Sequence, residues 1–188
     1  MSKDSRPAAV AGMFYPESAP LLAGAVTEML DEAATSPPLR PKAIIAPHAG
    51  YIYSGPIAAS AYAPLAELRG TIRRVVLLGP THRVAVDGLA VPTCSAFSTP
   101  LGKVMVDQKA IASIADLPQI AASDEAHAQE HSLEVQLPFL QTVLGEFSLL
   151  PLAVGDASAE EVAEVLERVW NGEETLIVVS SDLSHYLN

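Results

Sequence analysis

Three short apolar runs constrain this chain more than any other feature. They are A-I-I-A at Ala43–Ala46, R-V-V-L-L at Arg74–Leu78 and L-I-V-V at Leu176–Val179. None alternates apolar with polar residues, as a strand with one wet face does, so each reads as a strand covered on both faces. Helical patterns lie between them. Ser18 to Ala34 places Leu21, Leu22, Val26, Met29 and Leu30 on one face, with Ser18 as N-cap. Gly55 to Leu68 is alanine-rich with Pro56 in its first turn. Gln108–Leu117 and Glu130–Leu144 also read as helices, the latter kinked or restarted at Pro138. Ser158 to Trp170 opens with a capping box, Ser158 and Glu161, and carries Val162, Val165, Leu166 and Val169 on its apolar face.

Weaker signals fill the remainder. Leu89–Val91 and Val104–Val106 fit short strands, and Thr35–Pro41 is a proline-rich connection. Pro151 interrupts Leu149–Val154, which predicts an edge or irregular strand. Strands alternating with helices predict an α/β fold with a central parallel or mixed sheet flanked by helices. A chain of 188 residues builds one such core comfortably, so residues 1–188 are expected to form a single domain.

Charge and composition exclude several classes of function. The net charge is −11 with only 11 Lys and Arg, the opposite of the basic footprint that nucleic-acid binding needs. No apolar run is long enough to span a bilayer, and the start, M-S-K-D-S-R-P, lacks the apolar core of a signal peptide. Cys94 is the single cysteine, which fits a reducing compartment and rules out an internal disulfide. A cytoplasmic protein is expected, with neither nucleic acid nor membrane as partner.

The residues just past each strand carry the chemistry. A-I-I-A runs into Pro47-His48, V-V-L-L into Gly79-Pro80-Thr81-His82, and L-I-V-V into Ser180-Ser181-Asp182-Leu183-Ser184-His185. Ligands of open α/β sheets bind outside the carboxyl ends of the strands, so parallel neighbours would bring these three histidines to one edge. The other two histidines, His127 and His131, stand four apart, and Glu134 comes three residues after His131 on the same helical face. All five are expected to approach one pocket. Two histidines with a third ligand and open coordination positions suit non-haem iron, and zinc accepts the same ligands. The stretch H-A-Q-E-H, His127–His131, also matches the H-x-x-E-H pattern of inverted zinc peptidases, an alternative that leaves the strand-end histidines unexplained.

Five motifs in order carry a resemblance: A-G-M-F-Y-P (Ala11–Pro16), A-P-H-A-G-Y (Ala46–Tyr51), G-P-T-H (Gly79–His82), E-H-S-L-E-V-Q-L-P-F (Glu130–Phe139) and S-S-D-L-S-H-Y (Ser180–Tyr186). From about Arg6 onward the chain resembles the Memo family, whose members share the fold of the class III extradiol dioxygenases. The resemblance implies that His48 and His82 bind a divalent metal, with Fe(II) first and Zn or Cu as alternatives. It implies that His185, with Asp182 just ahead of it, serves as acid/base. Phe14, and with it Tyr51, His131 and Glu134, are expected on the substrate side. In the family the remaining metal ligand is a cysteine well downstream of S-S-D-x-x-H. This sequence stops at Asn188, so that ligand and its segment are expected to be absent, and Cys94 comes from a different part of the chain.

The implied activity is that of a non-haem iron dioxygenase-like oxidoreductase acting on a small aromatic molecule. A binding module that receives a phosphorylated or aromatic group, including a peptide ligand, is the alternative. Partners from a radical-SAM system are expected, because bacterial members tend to be encoded beside one.

Overall fold

Residues 4–33 and 40–182 are described in a computed structural model of the protein. Most of the proline-rich connection and His185 therefore lie outside the described residues. Helix α1 (Ala19–Glu32) leads to strand β1 (Ala43–Ala46), helix α2 (Tyr51–Tyr62), a 3-10 turn at Ala63–Leu68 and strand β2 (Arg74–Pro80). Next come β3 (Leu89–Val91), the hairpin β4 (Ala96–Thr99) and β5 (Gly102–Val106), helix α3 (Gln108–Ile114), β6 (Ile120–Ala122) and the short helix α4 (Asp124–Ala128). A 3-10 turn at Glu134–Gln136 runs into α5 (Leu137–Leu144), followed by β7 (Ser148–Val154), α6 (Ala159–Val169) and β8 (Thr175–Ser180).

These elements form one α/β domain around an eight-stranded mixed sheet of order β1-β8-β2-β7-β3-β6, with β5 also paired to β7 and β4 to β5. Strands β1, β8, β2 and β7 run parallel, while β3 meets β7 antiparallel. Two of the three apolar runs, β2 and β8, are covered on both faces; β1 is not, because it ends the strand order and leaves Ala43 and Ile45 exposed. Val75 and Leu77 of β2 pack with Leu22 and Val26 of α1 and with Leu140 of α5 on one face. Val76 and Leu78 pack with Ile114 of α3 and Val165 of α6 on the other. In β8, Leu176 and Val178 take the first face and Ile177 the second.

Several local expectations are met and others corrected. The capping box of α6 is present in both directions, Ser158 Oγ accepting from the Glu161 N–H and Glu161 Oε2 from the Ser158 N–H. Helix α2 begins one turn earlier than the Gly55 start predicted, so Pro56 sits inside it. Strand β7 is internal, contrary to the edge position that Pro151 suggested. Its whole length pairs with β2, but on its other side β5 covers only Ser148–Leu149 and β3 only Ala153–Val154. Pro151 occupies the gap between those two neighbours, where no ladder hydrogen bond is demanded of its missing N–H. The segment at 130–144 is not one helix: residues 129–133 are turn and irregular backbone before the 3-10 turn starts. Among the described residues, no helix is long and apolar enough to cross a membrane.

Candidate metal centre

Because β1, β8 and β2 are adjacent and parallel, their carboxyl ends share one edge of the sheet. Two residues past each strand stands a group with chemistry: His48 after Ala46, Asp182 after Ser180 and His82 after Pro80. The turn before α5 crosses this edge and delivers a third imidazole. One ring nitrogen from each of His48, His82 and His131 lies within 4.8 Å of the other two. The His82 and His131 rings stack at 4.5 Å between centroids, and His48 meets them edge-on at 5.2 and 5.6 Å. His48 is buried, His131 half-buried and His82 the most exposed of the three.

A close approach of two chain segments makes this arrangement fit. Gly79 lies under the crossing turn, and a Cβ there would stand 2.8 Å from Ser132 Oγ and 2.9 Å from a Leu133 methyl carbon. Its role is space, since its φ is not positive; Gly50, likewise, has an ordinary φ of −57°. Ser132 Oγ donates to the Pro80 carbonyl and ties the turn to the end of β2.

Hydrogen bonds assign the imidazole tautomers. Ser180 Oγ donates to the Ser132 carbonyl at 2.6 Å and so has only acceptor capacity left. Gln136 Nε2 donates to it at 2.8 Å and also to the Pro47 carbonyl, while Gln136 Oε1 accepts from the Tyr62 hydroxyl. His48 Nδ1, 3.0 Å from the same Ser180 oxygen, is therefore the protonated nitrogen, and its lone pair is on Nε2. His82 is set the same way: its Nδ1 lies 2.9 Å from Glu130 Oε1, an acceptor-only carboxylate, which again puts the lone pair on Nε2. Asp182 Oδ1 accepts from the His48 backbone N–H at 2.7 Å, and its Oδ2 lies 3.8 Å from His48 Nε2.

Metal ligation requires deprotonated imidazole, and His131 is shifted toward that form. Burial, together with the neighbouring His82, His48 and Arg83, pulls His131 below the usual histidine value against the opposing charge of Glu130. Burial works to raise Glu130, but hydrogen bonds from the Ser132 N–H and from His82 outweigh it and hold the carboxyl below its ordinary range. Imidazole nitrogen suits iron, zinc and copper alike. Two such donors on one ion stand no more than about 4.2 Å apart, a spacing within reach of small side-chain rotations here. The donor set fits a divalent metal.

The residues expected on the substrate side separate into two groups. The Phe14 ring tilts against His131 at 4.7 Å and borders the cluster. His131 itself joins His48 and His82, so three nitrogen donors stand together without any segment beyond Asn188. Glu134 does not face a ligand. It is fully buried, bonded to Arg6 Nη1 at 2.5 Å, to the Tyr15 hydroxyl and to the N–H groups of Ala9 and Val10. Tyr51 is buried between Tyr15 and Phe139, its hydroxyl donating to the Val135 carbonyl. Both hold the N-terminal segment and the crossing turn in place.

His127 corrects the expectation that five histidines converge. It is buried against Phe97, its Nε2 is bonded to the Ala90 carbonyl, and it forms no part of the cluster. Helix α4 ends at Ala128, so H-A-Q-E-H does not present two histidines on one helix as the peptidase pattern requires. Cys94 is buried and outside the cluster as well. Glu130 enters the sequence reading only inside longer motifs, as the glutamate of H-A-Q-E-H and the first residue of E-H-S-L-E-V-Q-L-P-F, with no role assigned to it beside the strand-end histidines.

A family model described as "Memo-like protein" matches residues 6–188. A MEMO1 family protein of Ignicoccus hospitalis is 39% identical over 199 residues, covering 96% of this chain and 69% of its own length. One from Aquifex aeolicus is 40% identical over 186 residues, with 97% and 68% covered. Another, from Methanopyrus kandleri, is 37% identical over 201 residues, with 96% and 69% covered. The chain thus spans about two-thirds of the length of these relatives.

Proposed function

The chain belongs to the Memo family, and from that premise we propose that His48, His82 and His131 hold one divalent ion for dioxygenase-like chemistry. Fe(II) is the first candidate, and a small aromatic molecule is the ligand class. The observation that carries the reading is the convergence of three ring nitrogens within 4.8 Å at the carboxyl edge of the sheet.

When bound, such an ion supplies the one-electron chemistry with dioxygen that side chains lack. The protein's own groups do the rest. Ser180 and Glu130 keep the Nδ1 protons of His48 and His82 in place, so that both rings present Nε2. Phe14 gives an aromatic ligand an apolar surface beside His131. Asp182, bonded to the His48 N–H and near its ring, is placed to accept a proton from a phenolic ligand at that side. His185 carries the acid/base role that the family resemblance implies.

Oxygen uptake by anaerobically Fe(II)-loaded protein across a panel of catechols tests this reading. Uptake in wild type, lost in His48→Ala, is expected. A loaded protein that binds a catechol and consumes no oxygen would instead make the pocket a binding module and end the dioxygenase reading.

A further inference from the structure

Glu130 sits at the junction of two of the three histidines and is not exposed: 2% of its surface reaches solvent. Its Oε2 accepts from the His82 backbone N–H at 2.6 Å. Its Oε1 accepts from His82 Nδ1 at 2.9 Å, from the His131 N–H at 2.8 Å and from the Ser132 N–H at 2.9 Å. The same oxygen lies 3.3 Å from His131 Nδ1. The Glu130 backbone is anchored too, its carbonyl accepting from Arg6 Nη2 at 2.6 Å.

Each of the four hydrogen bonds brings a donor to the carboxylate, and an acceptor-only group is the one side chain that satisfies all of them. A carboxamide of equal size would turn an NH2 toward one or more N–H groups. A carboxylate behind a metal-binding imidazole fixes its tautomer and ring orientation and raises its basicity. Here one carboxylate does this for His82 and at the same time holds the backbone of His131, 49 positions further along the chain.

We propose that Glu130 is the positioning residue of the centre: it sets His82 as an Nε2 ligand and ties His131 to it, so that the two approach one ion together. The inference rests on the proposed metal binding, and its first test does not need the metal. Nitrogen-15 NMR of the histidine side chains in metal-free wild type reads the tautomer directly. His82 is expected with its proton on Nδ1; a folded wild type with the proton on Nε2 overturns the proposal.

Glu130→Gln then provides the second test, with Zn(II) as the probe in titration calorimetry and circular dichroism to check the fold. A loss of about 10- to 100-fold in Zn(II) affinity, with the His82 tautomer redistributed, is expected. Unchanged affinity and tautomer in a folded variant overturn the proposal while leaving the metal site intact. If His82→Ala binds Zn(II) as tightly as wild type, the metal reading itself fails, and the wild-type tautomer still decides what Glu130 does.

Discussion

Replacing His127 by glutamine removes a titrating ring while retaining a donor for the Ala90 carbonyl, and it separates a structural histidine from a metal ligand. Burial pushes the His127 imidazole down to about 4, with the Arg6 charge acting in the same direction and the Ala90 hydrogen bond, Asp124 and Glu130 opposing it. In the unfolded chain the ring titrates at its ordinary value of 6.5. Between these values the unfolded state binds the extra proton, so stability contributed by the neutral buried ring is present above pH 6.5 and is lost as pH falls toward 4. The shift corresponds to a loss of about 2 kcal/mol at pH 5 and about 3 kcal/mol at pH 4. Urea unfolding of wild type and His127→Gln from pH 7.5 to pH 4.5 measures it. Carboxylates titrate in both proteins, so the difference between the two curves isolates the ring. Wild type is expected to lose stability relative to the variant as pH falls. A difference that stays flat from pH 7 to pH 5 would refute the burial argument, because a ring near its ordinary pKa gives no such slope.

Two further substitutions probe the scaffold behind the site. Arg6→Ala leaves the fully buried Glu134 carboxylate without its guanidinium and frees the Glu130 and His127 carbonyls; urea unfolding at pH 7 is expected to show a loss of about 3 to 5 kcal/mol, and a loss below about 1 kcal/mol would contradict the pair's role. Gly79→Ala forces the crossing turn away from β2 through contacts of 2.8 and 2.9 Å with Ser132 and Leu133. It is expected to cost about 1 to 3 kcal/mol and to weaken Zn(II) binding through His131, whereas unaltered affinity would show that the turn has slack.

Much of the fold is legible in strand chemistry, because Arg74–Leu78 and Leu176–Val179 are apolar on both faces and sit inside the sheet, whereas Ala43–Ala46 carries the same pattern at the end of the strand order with Ile45 exposed. The same reasoning leads to His48 and His82, since a residue two past a parallel strand has few places to go. His131 is harder. The apolar pattern of 130–144 resembles a helix, and that reading brings His131 to the substrate side of the pocket without joining it to His48 and His82 as a third nitrogen donor. What bends the chain there is Glu130 accepting from two successive N–H groups after it, a local competition between side chain and backbone that periodicity does not reveal. Helical spacing pairs Glu134 with His131 for the same reason, but its partner Arg6 lies 128 positions away, beyond any spacing rule. Pro151 misleads in the opposite direction: the propensity is right about the missing hydrogen bond, but a gap between β5 and β3 supplies the tolerance.

The central claim is that three histidines from two strand ends and one crossing turn hold a single ion. Metal content and affinity after anaerobic loading with Fe(II), and separately with Zn(II), test it most directly in wild type, His48→Ala, His82→Ala, His131→Ala and His127→Gln. Wild type and His127→Gln are expected to bind one ion per chain, and each of the three alanine variants to lose it or bind it far more weakly. Undiminished binding by His131→Ala would contradict the three-histidine centre.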